Sequence, residues 1–135
     1  MIPDLKSLVK RIGANEGFER TPYQCTMGVW TIGHGFTWIS EEESLHILAG
    51  RVSELHLELG NKWVWYDGLP PEIKGVVIEM CFQLGVFGFS KFKKAIAHMI
   101  DKEWQLAADE MLDSKWRKQT PNRANRLATI VREHG

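Results

Sequence analysis

Glu16, Cys25 and Thr31 are three side chains able to do chemistry, set nine and six residues apart in the stretch EGFERTPYQCTMGVWTIGHGFT, residues 16–37. A carboxylic acid can hand a proton to a leaving oxygen, and a thiolate can take one from water or attack carbon itself. A hydroxyl can hold the attacking water by hydrogen bonds. Such a set suits cleavage of a sugar polymer, where an acid serves the leaving oxygen and a second group serves the other face of the ring. An inverting enzyme spaces its two groups roughly 6.5–9.5 Å apart to admit the water. A thiol with the ordinary pKa of about 8.5 is mostly protonated at neutral pH, so Cys25 needs a neighbour that lowers it. Inversion through activated water and retention through direct attack by sulfur both stay open, with Thr31 favouring the first. A different use of the thiol, paired with His34 in a cysteine peptidase acting on wall peptide, is an alternative.

The elements that must hold this set can be read on either side of it. Asp4 can cap a first helix, along which Leu5, Leu8, Val9 and Ile12 recur at helical spacing. Glu16 falls four residues after Ile12 and extends the same stripe. A carboxyl facing the core at the negative end of a helix would keep its proton, as a general acid must. The chain should then turn through Pro22 and Tyr23 and enter a short β-like segment, Val29–Phe36, rich in β-branched and aromatic residues. Alternation puts Trp30, Ile32 and His34 on one face and Val29, Thr31 and Gly33 on the other, with Thr31 turned from the bulky apolar side. Gly33 and Gly35 leave bare backbone for close approach of a ligand or another strand.

Ser40 and Glu43 form a capping box ahead of a helix over 40–60, which carries Leu45, Leu48, Val52, Leu55 and Leu59 and is roughly 30 Å long. A connector with Trp63, Trp65 and Tyr66 follows, its aromatics pinning the loop to the core. Pro71 starts the most apolar helix, with Ile73, Val76, Val77, Met80, Cys81 and Leu84 inward and Gly85 and Gly88 at its end. Ser90, Asp101 and Thr120 mark the starts of three further helices. Their inward residues are Phe92, Ile96, Met99 and Ile100; then Trp104, Ala107, Ala108 and Met111; then Ala124, Leu127, Ile130 and Val131. No repeat, low-complexity tract or long linker interrupts the chain.

Composition narrows the function classes. A chain of 135 residues is one domain with room for a core. Lys plus Arg balances Asp plus Glu at 17 each, which gives no overall signal for nucleic acid. Six bases lie in 111–135 against Asp113 and Glu133, a charge bias that would suit an anionic polymer such as bacterial cell wall. Two cysteines make no disulfide framework, and the scattered histidines and cysteines have no metal-ligand spacing, so no cofactor or metal is expected. No apolar stretch reaches the roughly 18 residues that span a membrane, and MIPDLKSLVKRIG is not a signal peptide. Synthesis in the cytoplasm follows as an expectation.

The order helix–Glu16-Gly17, Cys25, Thr31, then Ile32-Gly33-His34-Gly35 resembles the phage-type lysozymes of the T-even bacteriophages, glycoside hydrolase family twenty-four. A second block agrees: Phe82-Gln83-Leu84-Gly85, Gly88-Phe89, Ser114-Lys115-Trp116 and Gln119-Thr120-Pro121-Asn122-Arg123-Ala124. The resemblance covers nearly the whole chain. It implies an α+β, mostly helical, two-lobed fold: a small N-terminal lobe over about 13–39, a connecting helix over about 40–60, and a helical lobe over about 61–135 joined by the N-terminal helix. It implies a muramidase that cuts the β-1,4 link between N-acetylmuramic acid and N-acetylglucosamine in peptidoglycan. In that family's pattern Glu16 is the general acid, Cys25 stands at the catalytic aspartate's place and Thr31 positions water. Gly33, Gly35, Gln83, Phe89 and Arg123 support the site, with Gln83 in the cleft wall and Arg123 near Glu16. The resemblance further implies an endolysin that reaches the wall through a holin and works as a monomer. A wall-binding or structural module on the same fold is the alternative. Two departures from the pattern are Phe36, where many members carry histidine, and a short passage from Thr37 to Ser40. The first implies that any ion pair made by that histidine is absent, and the second predicts a trimmed N-terminal lobe.

Overall fold

The computed structural model describes residues 4–135; the first three residues of the amphipathic N-terminal stretch lie outside them. In chain order the elements are α1 (Leu5–Glu16), β1 (Glu19–Gln24), β2 (Trp30–Gly33), α2 (Glu41–Lys62), α3 (Pro71–Ser90), α4 (Lys93–Ile100), α5 (Trp104–Leu112), α6 (Lys115–Gln119) and α7 (Pro121–Glu133). Helix accounts for 67% of the chain beside a two-stranded antiparallel sheet, so the fold is α+β and mostly helical, as expected.

Contacts divide the chain into two compact units, Met1–Ile47 and Leu48–Gly135, and the division falls inside α2. The first unit holds α1 and the hairpin. Helix α1 begins where the Asp4 carboxylate accepts from the Ser7 amide at 3.1 Å. It falls in the same unit as the hairpin, and its last turn lies against the β2 turn: the His34 ring is 3.6 Å from where a Cβ on Gly13 would sit. The apolar stripe of α1 does not face a core. Leu5, Val9 and Ile12 are 65%, 60% and 49% exposed, and no residue of the helix is buried.

Strand β1 was not expected, since Pro22 and Tyr23 read as a turn. A proline has no N–H to give a ladder, which confines it to strand edges and irregularities. Here the register shifts between Glu19, paired with Gly33, and Tyr23, paired with Thr31, and Pro22 lies inside that irregular stretch. Alternation along β2 holds, with Thr31 on the face opposite Trp30 and Ile32. Thr31 is the buried residue at 6% exposure, while Trp30 and Ile32 are 62% and 41% exposed. The capping box forms as read: the Glu43 carboxylate accepts from the Ser40 amide at 2.9 Å, and the Ser40 hydroxyl accepts from the Glu43 amide at 3.1 Å.

The second unit has a core of its own, built on Leu59, Tyr66, Ile73, Met80, Phe89, Met99 and Met111. Within it α5 packs on α4 and α7, and α3 and α6 also meet α7. Tyr66 is fully buried, with its hydroxyl 2.7 Å from His56 Nδ1, and Trp63 stacks on Trp65, so the aromatic connector is indeed pinned to the core. Cys81 is buried, and burial, aided by Glu58, pushes its thiol up to about 12. Ile100 and Ile130, read as inward, are 46% and 39% exposed; the small Ala95 and Ala128 take inward positions instead. Ser90 and Asp101 do not cap α4 and α5, which start at Lys93 and Trp104 after Phe92 and Glu103.

By length and composition α3 could cross a membrane, which corrects the reading that no stretch is long enough. Its backbone leaves the helical region at Gly85 (φ 79°, ψ 157°), so the continuous run from Pro71 falls short of the roughly 20 residues a span requires. Six of its residues, from Ile73 to Phe89, are buried in the helical core.

Candidate active site

Glu16 is the last residue of α1, and Gly17 ends the helix with its amide returned to the Gly13 carbonyl at 2.9 Å. The Glu16 carboxyl reaches back over the turn that leaves β2. That turn is closed by two hydrogen bonds of 2.9 Å between Ile32 and Phe36, with Gly33, His34 and Gly35 inside it. Gly35 has φ +80°, and a Cβ built on it would fall 2.9 Å from Glu16 Cδ, closer than atoms tolerate. The positive φ favours glycine, and its bare backbone lets the Glu16 carboxyl lie against Gly35. At Gly33 (φ +68°) the approaching group is the Phe36 ring, 3.1 Å from the Cβ position. His34 packs on the Phe18 ring with centroids 5.3 Å apart, on the α1 side of the turn.

Glu16 is exposed. The expected burial on the core side of α1 is absent because α1 buries none of its apolar stripe. What fixes this carboxyl is contact with Gly35, not enclosure.

Cys25 and Thr31 are joined through one carbonyl. The Val29 oxygen accepts the Cys25 amide at 2.9 Å and the Thr31 hydroxyl at 3.0 Å, and the Gly28 amide closes the tight turn onto the Cys25 carbonyl at 2.8 Å. The thiol is held below its ordinary value, first by the Val29 backbone and next by that of Met27, with the Thr31 hydroxyl adding a smaller contribution and slight burial opposing. The shift runs in the direction that base chemistry by sulfur would need. Thr31 has a single hydroxyl proton. Spent on Val29, it leaves the oxygen's lone pairs to accept from a water or from the thiol.

The supporting residues of the second unit have partners within that unit. Gln83 bridges three helices: its Oε1 accepts from Trp116 Nε1 at 2.9 Å and its Nε2 donates to Thr120 Oγ1 at 3.4 Å. Thr120 in turn donates its hydroxyl to the Trp116 carbonyl and does not cap α7 with its side chain. Phe89 is fully buried, between Trp63 and Phe92, as part of the core. Arg123 donates to Glu79 at 2.9 Å, and Arg132 to Asp109 at 2.7 Å, so acids of the same unit answer part of the basic charge near the chain's end. Sequence reasoning missed the Val29 carbonyl, which no side-chain motif can reveal, and the Trp116–Gln83–Thr120 bridge. The bridge had a signal: a tryptophan at a core position needs an acceptor for its N–H. Among the described residues no group of three or more His, Cys, Asp or Glu side chains could hold a metal ion.

Comparison with known proteins gives a family match. The family model described as Phage lysozyme matches residues 13–133. Two proteins of Dictyostelium discoideum, named "Probable T4-type lysozyme 1" and "Probable T4-type lysozyme 2", are 39% and 38% identical over 66 and 65 residues. Those stretches are 49% and 48% of this chain but 39% and 38% of theirs, so the chain spans well under half the length of these relatives. The pre-baseplate central spike protein Gp5 of Enterobacteria phage T4 is 38% identical over 53 residues, 39% of this chain and 9% of that protein.

Proposed function

The chain belongs to the phage lysozyme family, and from that premise we propose that it is a muramidase which hydrolyses the β-1,4 bond between N-acetylmuramic acid and N-acetylglucosamine in bacterial peptidoglycan. The observation that supports this reading is the seating of the Glu16 carboxyl on Gly35, in the turn that follows the strand bearing Thr31. Glu16 donates its proton to the leaving glycosidic oxygen as the bond to the anomeric carbon breaks. A water oriented by the Thr31 oxygen attacks that carbon, and its proton passes to the Cys25 thiolate. The products are a new reducing end and a free hydroxyl. The protein is left with a Glu16 carboxylate and a Cys25 thiol, and both reset by exchange with solvent. The lowered thiol raises the fraction of Cys25 able to act as base near neutral pH.

The match to a phage spike protein favours a second reading, a module that recognises or supports without turnover. The peptidase reading lacks such support, because His34 is engaged with Phe18 and Gly13. Incubating the protein with purified peptidoglycan and identifying the new chain ends separates the three. Reducing sugars support the muramidase and free amines the peptidase. Binding with no new ends of either kind would leave the non-catalytic module.

A further inference from the structure

We propose that the face built by the 62–65 connector and helix α4, in the second unit, docks on an anionic lipid membrane, with the protein lying on the surface rather than spanning it. The proposal goes beyond the muramidase reading and does not depend on it. Trp63 and Trp65 stack with ring centroids 5.0 Å apart. Two hollows of about 240 and 310 Å³ open beside them, and Trp65 and Ile100 line both. Trp63 and Lys93 lie along the first, Trp104 and Lys102 along the second. The three indoles are half-buried, packed on the core yet partly open to solvent. Tryptophan sits in the same way at a membrane interface, its apolar body inward and its polar edge in the wet headgroup layer. In the turn between the stacked pair Val64 is 96% exposed, and Ile100 is 46% exposed. These two aliphatic groups select the occupant. Sugars and bases stack on indoles but do nothing for an exposed valine, whereas the acyl boundary of a bilayer takes it out of water. The lysines supply the charge. Lys93 opens α4 and Lys102 follows its end, so they flank a helix roughly 12 Å long. Lys62 lies 5.9 Å over the Trp63 ring. No carboxylate lines either hollow, and Glu103, next to Lys102, faces His98 at 3.1 Å. Lysines so placed are drawn to anionic headgroups. Lys102 also has φ 59°, a left-handed conformation that glycine takes without strain at a helix end, and it is the one non-glycine residue with positive φ among the described residues.

The test is co-sedimentation of the whole chain with phosphatidylcholine vesicles, with and without phosphatidylglycerol, at low and high salt. The wild type should bind the phosphatidylglycerol vesicles at low salt and lose most of that binding at high salt or on phosphatidylcholine alone. Val64→Asp should weaken partition about tenfold, since withdrawing one valine from water is worth that order of effect. Lys102→Gly should weaken it about fivefold, the share of one lysine at an anionic surface. It should also leave the melting temperature near that of the wild type, because glycine suits that φ. Both side chains are exposed, and unchanged circular dichroism would show that the fold is kept. A wild type that ignores phosphatidylglycerol overturns the proposal. Undiminished partition of Val64→Asp also overturns it and leaves a surface for polyanions in general. Undiminished partition of Lys102→Gly overturns the role of charge and with it the proposal. A dimer that Val64→Asp dissociates while vesicle binding persists overturns it too, and assigns the face to a second copy of the chain. Reducing-end release from peptidoglycan is read separately, so neither result decides the other.

Discussion

A carboxylate at the exposed end of a helix has no burial to hold it in place, so its position depends on what lies beneath it. Beneath Glu16 is Gly35, at positive φ and with no room for a side chain. Gly35→Ala would combine a conformational cost of ~1–3 kcal/mol with displacement of the carboxyl. It should cut wall-degrading activity far more than it lowers the melting temperature. A variant that melts early but keeps full specific activity would show that the seat is unimportant. Cys25 can be examined by pH. If the thiolate is the base, activity rises with pH through the folded thiol pKa, which lies below that of an ordinary thiol. Cys25→Asp should stay active and carry this acid limb down toward the carboxylate range near ~4. Cys25→Ala should be crippled. Identical pH profiles for the wild type and Cys25→Asp would exclude Cys25 as the titrating base.

At the scale of elements, two small constructions decide how the chain is held. The Ser40–Glu43 box starts α2, and Ser40→Ala should cost ~1 kcal/mol in unfolding experiments. Glu43 is held below the usual carboxylate value by the Ser40 amide and hydroxyl. Its contribution is therefore complete above the unfolded-state pKa and is lost as pH falls through the lower folded-state pKa. The difference in melting temperature between the wild type and Glu43→Gln should shrink over that acidic window; a constant difference would contradict the box. The second construction is Gln83, whose amide answers both Trp116 and Thr120. Gln83→Leu leaves the N–H of a 3%-exposed tryptophan without its acceptor and should cost ~1–3 kcal/mol by denaturant titration. A neutral result would mean that water replaces the amide.

The capping box was legible because it is local: two side chains three residues apart satisfy each other's amides whatever the rest of the chain does. Strand β1 was not, because Pro22 argues against a strand and only pairing with β2 overrides it. Which face of β2 is covered could not be read for a related reason. Alternation gives two faces, and nothing within four residues says which is covered. Glu16, Cys25 and Thr31 stood out through residue type and order, but the Val29 carbonyl and the Gly35 seat are backbone features without a sequence signature.

At the scale of the whole molecule, periodicity alone located most of the helical unit, because long apolar patterns leave few ways to bury them. Ile73, Val76, Val77, Met80, Met99, Met111, Leu127 and Val131 are core as read. The apolar stripe of α1 shows the converse, a pattern whose face is exposed. The charge pattern was similarly ambiguous, since Arg123 and Arg132 of the basic end are answered by Glu79 and Asp109. Exposed pairs of this kind add ~0–1 kcal/mol each, so they bear on surface potential more than on stability. The proposed chemistry therefore rests on residues of the small unit rather than on the larger core.

The most direct measurement compares the wild type with Glu16→Gln for release of reducing sugars from purified peptidoglycan, with circular dichroism confirming that both are folded. The account predicts abundant new reducing ends from the wild type and a fall on the order of 10²–10⁴ in Glu16→Gln. Near-normal release by Glu16→Gln, or new free amines with no reducing ends from the wild type, would contradict it.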